Sequence, residues 1–553
     1  MSLNGTLPEL SDSLPRILIV DNDKGTTKIF SELVSHWGFV PVLAEGEGIS
    51  LVDDARKKAR DLRCQLALID MRLIDNSDDD DISGLNLINQ IKPAVSIVVT
   101  GHGSVNLAIK SIHEKGAANF VGKEDGPIAL KEKIQREAAK IVARGRPIRI
   151  VPDEILTTIG SILFDVSTPT QYHDQIVDIL ARLFPDAHYL HLKKMITSEL
   201  NTGFSTAPRP RSIVLSVYED DLQPVIVKFA RRHKITTEVE RFKKYIDGRL
   251  VGGFKPTLSG YVELWDIGGI KLSYVGNIVE TFTHFFKTQP IENIEKSLER
   301  FFSYTWSAHY QKTRKKTDVS LFKLYCSVWG IEWVERAEKL RNTNSDNAMG
   351  YSPWEKTGAK DPLQWLIENI AKDETHDASI ISKVSIAVTH GDLHADNIII
   401  DDSNNAWVLD FERSGEGHAL QDFIELESDI INRIAGLSDD FQTFYHLCIL
   451  LTGMKELGSN ITPVHPSLLS NDAQKVIRTI ATIRRLAHKC TGVTDAKEYL
   501  FGLFFNTIFR ATITKAQEKS QQRALMLAGI LCHRLEHWDD PWPPDVWDEL
   551  QFS

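Results

Sequence analysis

VSIAVTHGDLHADNIIIDDSNNAWVLDFE, residues 384–412, decides the architecture of the larger part of this chain. Two apolar runs bracket a polar loop, a strand-loop-strand pattern, and the loop carries chemistry at fixed intervals. Asp392, Asn397 and Asp410 stand at relative positions 0, +5 and +18. Phosphoryl transfer needs few groups: a carboxylate to orient an attacking hydroxyl and take its proton, and amide and carboxylate oxygens to hold Mg²⁺ against nucleotide phosphates. Asp392 suits the first task, Asn397 and Asp410 the second. A lone Asp or Asn in a polar loop is ordinarily a turn former, so the reading rests on the triple spacing together with a lysine upstream.

That lysine is found on the N-terminal side. SIVLSVYE (212–219) and PVIVKFA (224–230) flank the polar turn DDLQ and read as a β-hairpin, which puts Lys228 on a strand, placed to steady phosphates. It needs a carboxylate partner. In the next segment, KITTEVERFKKYI (234–246), the helical apolar stripe is Ile235, Val239, Phe242, Tyr245 and Ile246. Glu238 lies on that stripe whereas Glu240 points away, so Glu238 is the candidate. YVELWDIGGIKLSYVG (261–276) holds two further strand-like runs, and helical patterns dominate 278–385 and everything after Gly415. His394 lies close to His390, but no third metal-ligating residue is near, so both read as loop structure.

HGDLHADN and LDFE resemble the catalytic-loop and second metal-binding motifs of the aminoglycoside phosphotransferase and choline kinase branch of the protein-kinase-like fold, and within it the bacterial ternary complex-associated domains. The resemblance runs over 190–430, matching at His390, Asp392, Asn397 and Asp410, and Asp422 in HALQDFIELE is similar to a structural acid of that branch. It implies an α+β, protein-kinase-like bilobal domain with a helical C-terminal subdomain, in which Asp392 is catalytic, Lys228 and Glu238 bind ATP, and Asn397 and Asp410 hold Mg²⁺. The departure is the missing glycine-rich phosphate loop, for which TSELNTGFSTA (197–207) offers only Gly203, Phe204 and Ser205.

The first part of the chain reads differently. ILIV (17–20), LALI (66–69), SIVV (96–99) and ANFV (118–121) alternate with amphipathic stretches, as in an α/β doubly wound parallel sheet. Ile29, Phe30, Leu33, Val34 and Trp37 form one helical stripe able to cover a sheet face. Ligands of such sheets gather at the carboxyl ends of the strands. Asp21, Asn22 and Asp23 follow the first run, Asp70 the second, Thr100 the third, and Gly122 and Lys123 the fourth. Carboxylates, a hydroxyl and an ammonium could thus converge on one phosphoryl group, with Asp70 as its central acceptor.

ILIVDND, ALIDMRL, VVTGHGS and KGAANFVGKED resemble, in order and spacing, the flavodoxin-like receiver domain of two-component response regulators. The resemblance implies that Asp70 is the phosphoacceptor, supplied by a sensor histidine kinase or phosphotransfer protein. Asp21, Asp23 and Asp70 would form the Mg²⁺ pocket. Thr100 and Lys123 would contact the phosphoryl oxygens, and Phe120 would reorient with Thr100. Asn22 stands where the family usually has a second acid, an exchange that weakens Mg²⁺ binding unless Asp23 compensates.

With 553 residues, 42% of them apolar, the chain can bury several cores. Its net charge of −11, from 64 Lys plus Arg and 75 Asp plus Glu, gives no global basic field, so no nucleic-acid partner is expected. Cys64, Cys326, Cys448, Cys490 and Cys532 lie far apart without a C-x-x-C pair, as suits a reducing cytosol rather than a zinc or redox site. No apolar run reaches the roughly 18 residues of a spanning helix, and MSLNGTLPELSDSLPR lacks the features of a signal peptide. The expectation is a cytoplasmic protein without membrane insertion. The run Asp78–Asp81 reads as a solvated loop, and Trp538, Trp542 and Trp547 as caps on a core.

The expected organisation is a receiver domain (14–140), a linker and helical connector (141–190), a kinase-like phosphotransferase domain (191–430) and a helical C-terminal subdomain (431–553). The expected function is a bacterial phosphorelay protein whose receiver, phosphorylated on Asp70, controls an ATP-dependent phosphotransferase acting on an acceptor the sequence does not name. The alternative is a non-catalytic nucleotide- or partner-binding scaffold with a degraded kinase-like domain.

Overall fold

The computed structural model describes residues 15–75, 78, 81–101, 112, 115–142, 148–164, 169–194, 212–220, 222, 224–250, 256–273, 278–346, 361–435, 441–463, 465–513 and 518–547. They divide between two compact units, one drawn from 1–149, 172–189 and 262–268, the other from 150–171, 190–261 and 269–553. Gly203, Phe204 and Ser205 lie outside the described residues, as do Asp79 and Asp80.

The first unit is built on five parallel strands, β1 (Arg16–Val20), β2 (Val40–Leu43), β3 (Leu66–Ile69), β4 (Val95–Thr100) and β5 (Asn119–Gly122), in the order β2-β1-β3-β4-β5. This is the flavodoxin-like doubly wound order. Alternation along each strand serves two cores. Ile17, Ile19, Leu68 and Val99 pack with Val34 of α1 (Lys24–His36) and with Leu130 and Ile134 of the helix Gly126–Val142. Leu18, Val20, Ile69 and Val98 pack with Leu51 and Ala55 of α2 (Ile49–Asp61) and Leu85 of α3 (Ser83–Gln90). β2 is the strand that the apolar runs do not announce. Its sequence, VPVL, contains Pro41, which is tolerated because β2 is a sheet edge. The α1 stripe is narrower than its periodicity suggests. Phe30, Val34 and Trp37, at i, i+4 and i+7, face the core, whereas Ile29 is 58% exposed.

Most residues of a six-stranded sheet, of order β10-β11-β9-β8-β7-β6, fall in the second unit. Its strands are β6 (Arg149–Val151), β7 (Tyr189–Lys194), β8 (Ser212–Glu219), β9 (Val225–Arg231), β10 (Thr257–Glu263) and β11 (Ile267–Ser273). β8 and β9 form an antiparallel hairpin with Val214 opposite Lys228. β6 and β7 come from a stretch whose periodicity reads as helix and linker; the helices Glu154–Leu163 and His173–Leu183 do lie between them. α4 (Arg232–Arg241) follows β9 without a loop. Two small sheets, β12-β15-β16 and β13-β14-β17, are made by β12 (Ile278–Thr281), β13 (Lys315–Thr317), β14 (Val384–Thr389), β15 (Ile398–Asp401), β16 (Ala406–Val408) and β17 (Gly415–His418). Ile226, Ile235, Val239, Ile270, Ile399, Trp407 and Leu409 form one apolar cluster, which joins β9, α4 and β11 to the β15–β16 hairpin.

The remainder is helical, built around α5 (Gln421–Asp429), α6 (Phe441–Thr452), α7 (Asn471–Thr491), α8 (Ala496–Ala511) and α9 (Glu518–Glu536). Trp547 is fully buried beside Tyr445, and the Arg534 guanidinium lies over Trp538 and Trp542. No helix among the described residues is long and apolar enough to cross a membrane.

Inside this helical core, Arg484 of α7 meets Glu427 of α5 at 2.5 Å, both side chains fully buried, and Tyr499 of α8 donates to Glu427 Oε2 at 2.6 Å. Removing one member leaves the other charge buried without its partner, at a cost of about 3–5 kcal/mol, whereas replacing both by apolar groups is far milder. Glu427→Ala is therefore expected to lower the melting temperature much more than the double change Glu427→Leu, Arg484→Met. Thermal denaturation of the two variants checks this, and equal losses would contradict it.

Candidate functional site

In the first unit, Asp21, Asp70 and Lys123 meet at the carboxyl ends of β1, β3 and β5. Lys123 Nζ lies 2.7 Å from Asp21 Oδ2 and 3.6 Å from Asp70 Oδ1. Both carboxylates are buried, and Asp70 Oδ1 has no hydrogen-bond partner. Burial, reinforced by the like charge of Asp21, pushes the Asp70 carboxyl above its ordinary range. Thr100, at the end of β4, is buried, and Phe120 in β5 is half-buried. Gly84 permits the close approach of α3: a Cβ there would stand 1.9 Å from the Asp70 carbonyl oxygen.

Asp23 does other work. Its carboxylate accepts from the Gly25 and Thr26 amides and from the Thr26 hydroxyl, capping α1, while its own amide donates to Asp21 Oδ1 at 2.8 Å. Asp81 likewise orders its own loop rather than standing in solvent, accepting from the amides of Ile74, Asp75 and Ser83. The unpartnered Asp70 oxygen beside a second carboxylate fits a hard divalent cation.

In the second unit, Lys228 is buried, with Nζ 2.7 Å from Glu238 Oε2 and 2.8 Å from Asp410 Oδ2. Against the burial that opposes its charge, the two carboxylates hold the ammonium above its ordinary range. Asp410 is held well below the usual carboxylate range by Lys228, although burial works the other way. Glu238 is raised, chiefly by burial. Glu238 Oε1 also accepts from the Phe411 amide at 3.2 Å, so α4 is tied to the segment that follows Asp410. Asp410 itself has φ +66°, a left-handed conformation uncommon for a non-glycine residue.

Asn397 and Asp410 are brought close by the β15–β16 ladder. Ile398 pairs with Val408, and Leu409 N donates to Asn397 O at 2.8 Å. Asn397 Nδ2 donates to the Asp392 carbonyl at 2.8 Å, which leaves the amide oxygen for another partner. One amide and one carboxylate oxygen are donors that suit Mg²⁺. Among the described residues, no three or more His, Cys, Asp or Glu side chains are grouped to hold a metal, so a cation here would draw its remaining oxygens from water, backbone or phosphate. Asp392 is ion-paired with Arg413, its Oδ1 3.2 Å from Nη1.

The loop that carries Asp392 is held by one helix. Asp422 of α5 accepts from the amides of His390 (2.8 Å) and Gly391 (2.9 Å) and from the Tyr310 hydroxyl (2.6 Å). Glu425 accepts from Leu393 N at 2.7 Å, and Asp429 from Ala395 N at 2.9 Å. His390 packs edge-on against Phe411 and bonds Leu409 O through Nε2, and burial lowers its pKa. Sequence reasoning reached Asp422 but missed Glu425, Asp429 and Arg413. A signal for the first two was present: of the four acids in QDFIELESD, Asp422, Glu425 and Asp429 stand at i, i+3 and i+7, on one helical face.

The family model for ternary complex associated domain 9 matches residues 355–507. No curated protein matches the chain. Among solved structures, a signal receiver domain from Vibrio parahaemolyticus matches at 26% identity, covering 23% of this chain and 92% of that one, with a TM-score of 0.20. A response regulator from Thermotoga maritima matches at 19% identity over 23% of this chain and 98% of that one, with a TM-score of 0.19. The signal receiver domain of a modulated diguanylate cyclase from Desulfovibrio desulfuricans G20 matches at 19% identity, covering 23% and 95%, again with a TM-score of 0.19.

Glu425 yields a pH prediction. Burial, then the like charges of Asp392 and Asp422, push its carboxyl up to about 8. Between the ordinary glutamate value and about 8, the folded state holds one proton more than the unfolded chain, so this group's contribution to stability falls as pH rises through that window. In Glu425→Gln a neutral amide replaces a carboxyl that accepts from Leu393 N and Gln421 Nε2, and it has no proton to lose. The melting temperature of Glu425→Gln relative to wild type should therefore rise from pH 5 to pH 8.5. A difference that does not change with pH would contradict the assignment.

Proposed function

We propose that the second unit is an Mg²⁺- and ATP-dependent phosphotransferase of the aminoglycoside phosphotransferase type, governed by phosphorylation of Asp70 in a receiver unit. The observation that carries this reading is the buried Lys228, ion-paired at once to Glu238 and Asp410, while Leu409 N on Asn397 O brings Asn397 beside Asp410. A buried ammonium held at that point steadies nucleotide phosphates, and Glu238 keeps it in place from α4. Asn397 and Asp410 hold Mg²⁺, which when bound neutralises charge on the phosphates. Asp392 orients the acceptor hydroxyl and takes its proton as the bond from that oxygen to phosphorus forms and the bond to the leaving ADP breaks. The acceptor is a hydroxyl on a small molecule or a protein.

In the receiver reading, Asp70 attacks the phosphohistidine of a sensor histidine kinase or phosphotransfer protein; the P–N bond breaks and an acyl phosphate forms. Asp21 and Asp70 hold the cation, and Lys123 and Thr100 contact the phosphoryl oxygens. Reorientation of Thr100 and Phe120 biases a two-state surface that regulates the output. Support comes from the buried, unpartnered Asp70 oxygen beside Lys123, on a strand order that places strand-end loops together.

Calorimetric titration of full-length protein with Mg²⁺-ATP tests the catalytic half. Wild type and Asp392→Ala should bind, and Asp410→Ala should bind at least about tenfold more weakly for want of its metal contact. Equal binding by Asp410→Ala would favour a scaffold that does no chemistry. Asp392→Ala should also lose ADP release with an acceptor that wild type uses. For the regulatory half, beryllofluoride loading of the receiver should change the rate of ADP release in wild type and leave Asp70→Asn unchanged. A wild-type rate indifferent to loading would break the proposed link.

A further inference from the structure

We propose that Arg413 is a phosphate-binding residue of the cleft, donating to the phosphoryl group in transit from the Asp392 side while Lys228 acts on the Asp410 side. The proposal rests on the phosphotransferase reading of the second unit and adds a residue that the motifs do not supply. Arg413 Nη1 is 3.2 Å from Asp392 Oδ1, and each side chain is 32% exposed, so the pair faces open space rather than core. Of the guanidinium's five donors, only Nη1 is engaged among the described residues. A planar fork of this kind can keep one N–H on a carboxylate and offer others to an oxyanion.

The backbone of Arg413 is fixed where this requires it. Gly391 has φ +82°, and a Cβ there would stand 2.5 Å from the Arg413 carbonyl oxygen, so the catalytic loop and Arg413 abut. Ser414 Oγ donates to His390 O at 3.2 Å, and Arg241 Nη1 donates to Ser414 O at 3.2 Å, which anchors the next residue from both sides.

Charge gives the reason for a cation here. Asp392, Asp410 and Glu412 all act on the Arg413 guanidinium, so this side of the site would repel an incoming phosphate without it. Lys228 serves the Asp410 side, and two other cations are committed: Lys234 to Glu412, and Arg433 to Asp396 and Asp429. Asp392 is also the group that takes the acceptor proton. As that proton arrives, Asp392 loses its charge, and Arg413 loses its counter-ion just when the oxygens of the migrating group need one. The phosphorus leaves the β-phosphate oxygen and bonds the acceptor oxygen, the proton ends on Asp392, and ADP departs.

The test uses full-length protein and needs no acceptor. Binding of Mg²⁺-AMPPNP and of Mg²⁺-ADP is measured by calorimetry for wild type, Arg413→Gln and Arg413→Lys. A contact to the terminal phosphoryl predicts that Arg413→Gln weakens AMPPNP about tenfold, leaves ADP unchanged, and is partly rescued by Arg413→Lys. Equal weakening of both nucleotides marks a structural role and overturns the proposal, as does unchanged binding of both. Wild type binding neither nucleotide would overturn the phosphotransferase reading itself, an outcome distinct from binding that ignores position 413. The melting temperature of Arg413→Gln should stay near wild type, since a partly exposed ion pair contributes little to stability.

Discussion

The candidate cleft depends on three carboxylates of one buried helix. Residues 390–395 belong to no strand, yet their amides lie in the interior, where an unpaired N–H is costly. Asp422, Glu425 and Asp429 accept from the amides of residues 390, 391, 393 and 395, so α5 stands in for the missing ladder. Burying three acids is itself unfavourable, and each is accommodated differently. Asp429 is ion-paired with Arg433 and Arg510. Asp422 gathers two amides and the Tyr310 hydroxyl. Glu425 accepts from the Leu393 amide and from Gln421 Nε2, and burial pushes its carboxyl up to about 8. The loop's shape, and so the position of Asp392, follows from these three solutions.

A second constraint runs from α4 to the segment after Asp410. Glu238 Oε1 takes the Phe411 amide, Lys234 pairs with Glu412, and Arg241 donates to Ser414 O. A left-handed φ at a non-glycine residue persists only when its surroundings over-determine it, and these contacts do so for Asp410. The helix that positions Lys228 through Glu238 is therefore also the one that fixes the residue after Asp410. The two ends of the Lys228 ion-pair system cannot shift independently.

Much of this was legible in the sequence, for physical reasons that differ from residue to residue. Glu238 could be picked over Glu240 because an amphipathic helix leaves only one of two acids two positions apart on its inner face. The Asn397 and Asp410 spacing is legible because a short antiparallel hairpin returns the chain to its start. β2 was hidden by Pro41, and β6 and β7 by short runs that periodicity cannot separate from helix. Asp23 is read from its place at a strand end, and the structure adds that its carboxylate caps α1 through the Gly25 and Thr26 amides. The contact of Arg413 with Asp392 leaves no local trace. The two are 21 residues apart, and their meeting depends on the turn at Asp410 and on the space that Gly391 leaves open.

Both units set one lysine between two carboxylates, and the contrast between them follows from where charge is compensated. Lys123 approaches Asp21 more closely than Asp70, Asp70 Oδ1 makes no hydrogen bond, and burial with the like charge of Asp21 raises the Asp70 carboxyl. An oxygen with free lone pairs suits a nucleophile that must form a bond to phosphorus. Lys228 lies at nearly equal distances from Glu238 and Asp410, and Asp410 is driven to the ionised form. A carboxylate held permanently charged suits a cation ligand and is poorly placed to take a proton. In the proposed scheme the same three charges therefore make a cation pocket with a phosphoryl acceptor in one unit and a cation ligand beside a phosphate-steadying lysine in the other. The difference is a shift of the ammonium from one carboxylate toward the midpoint of both.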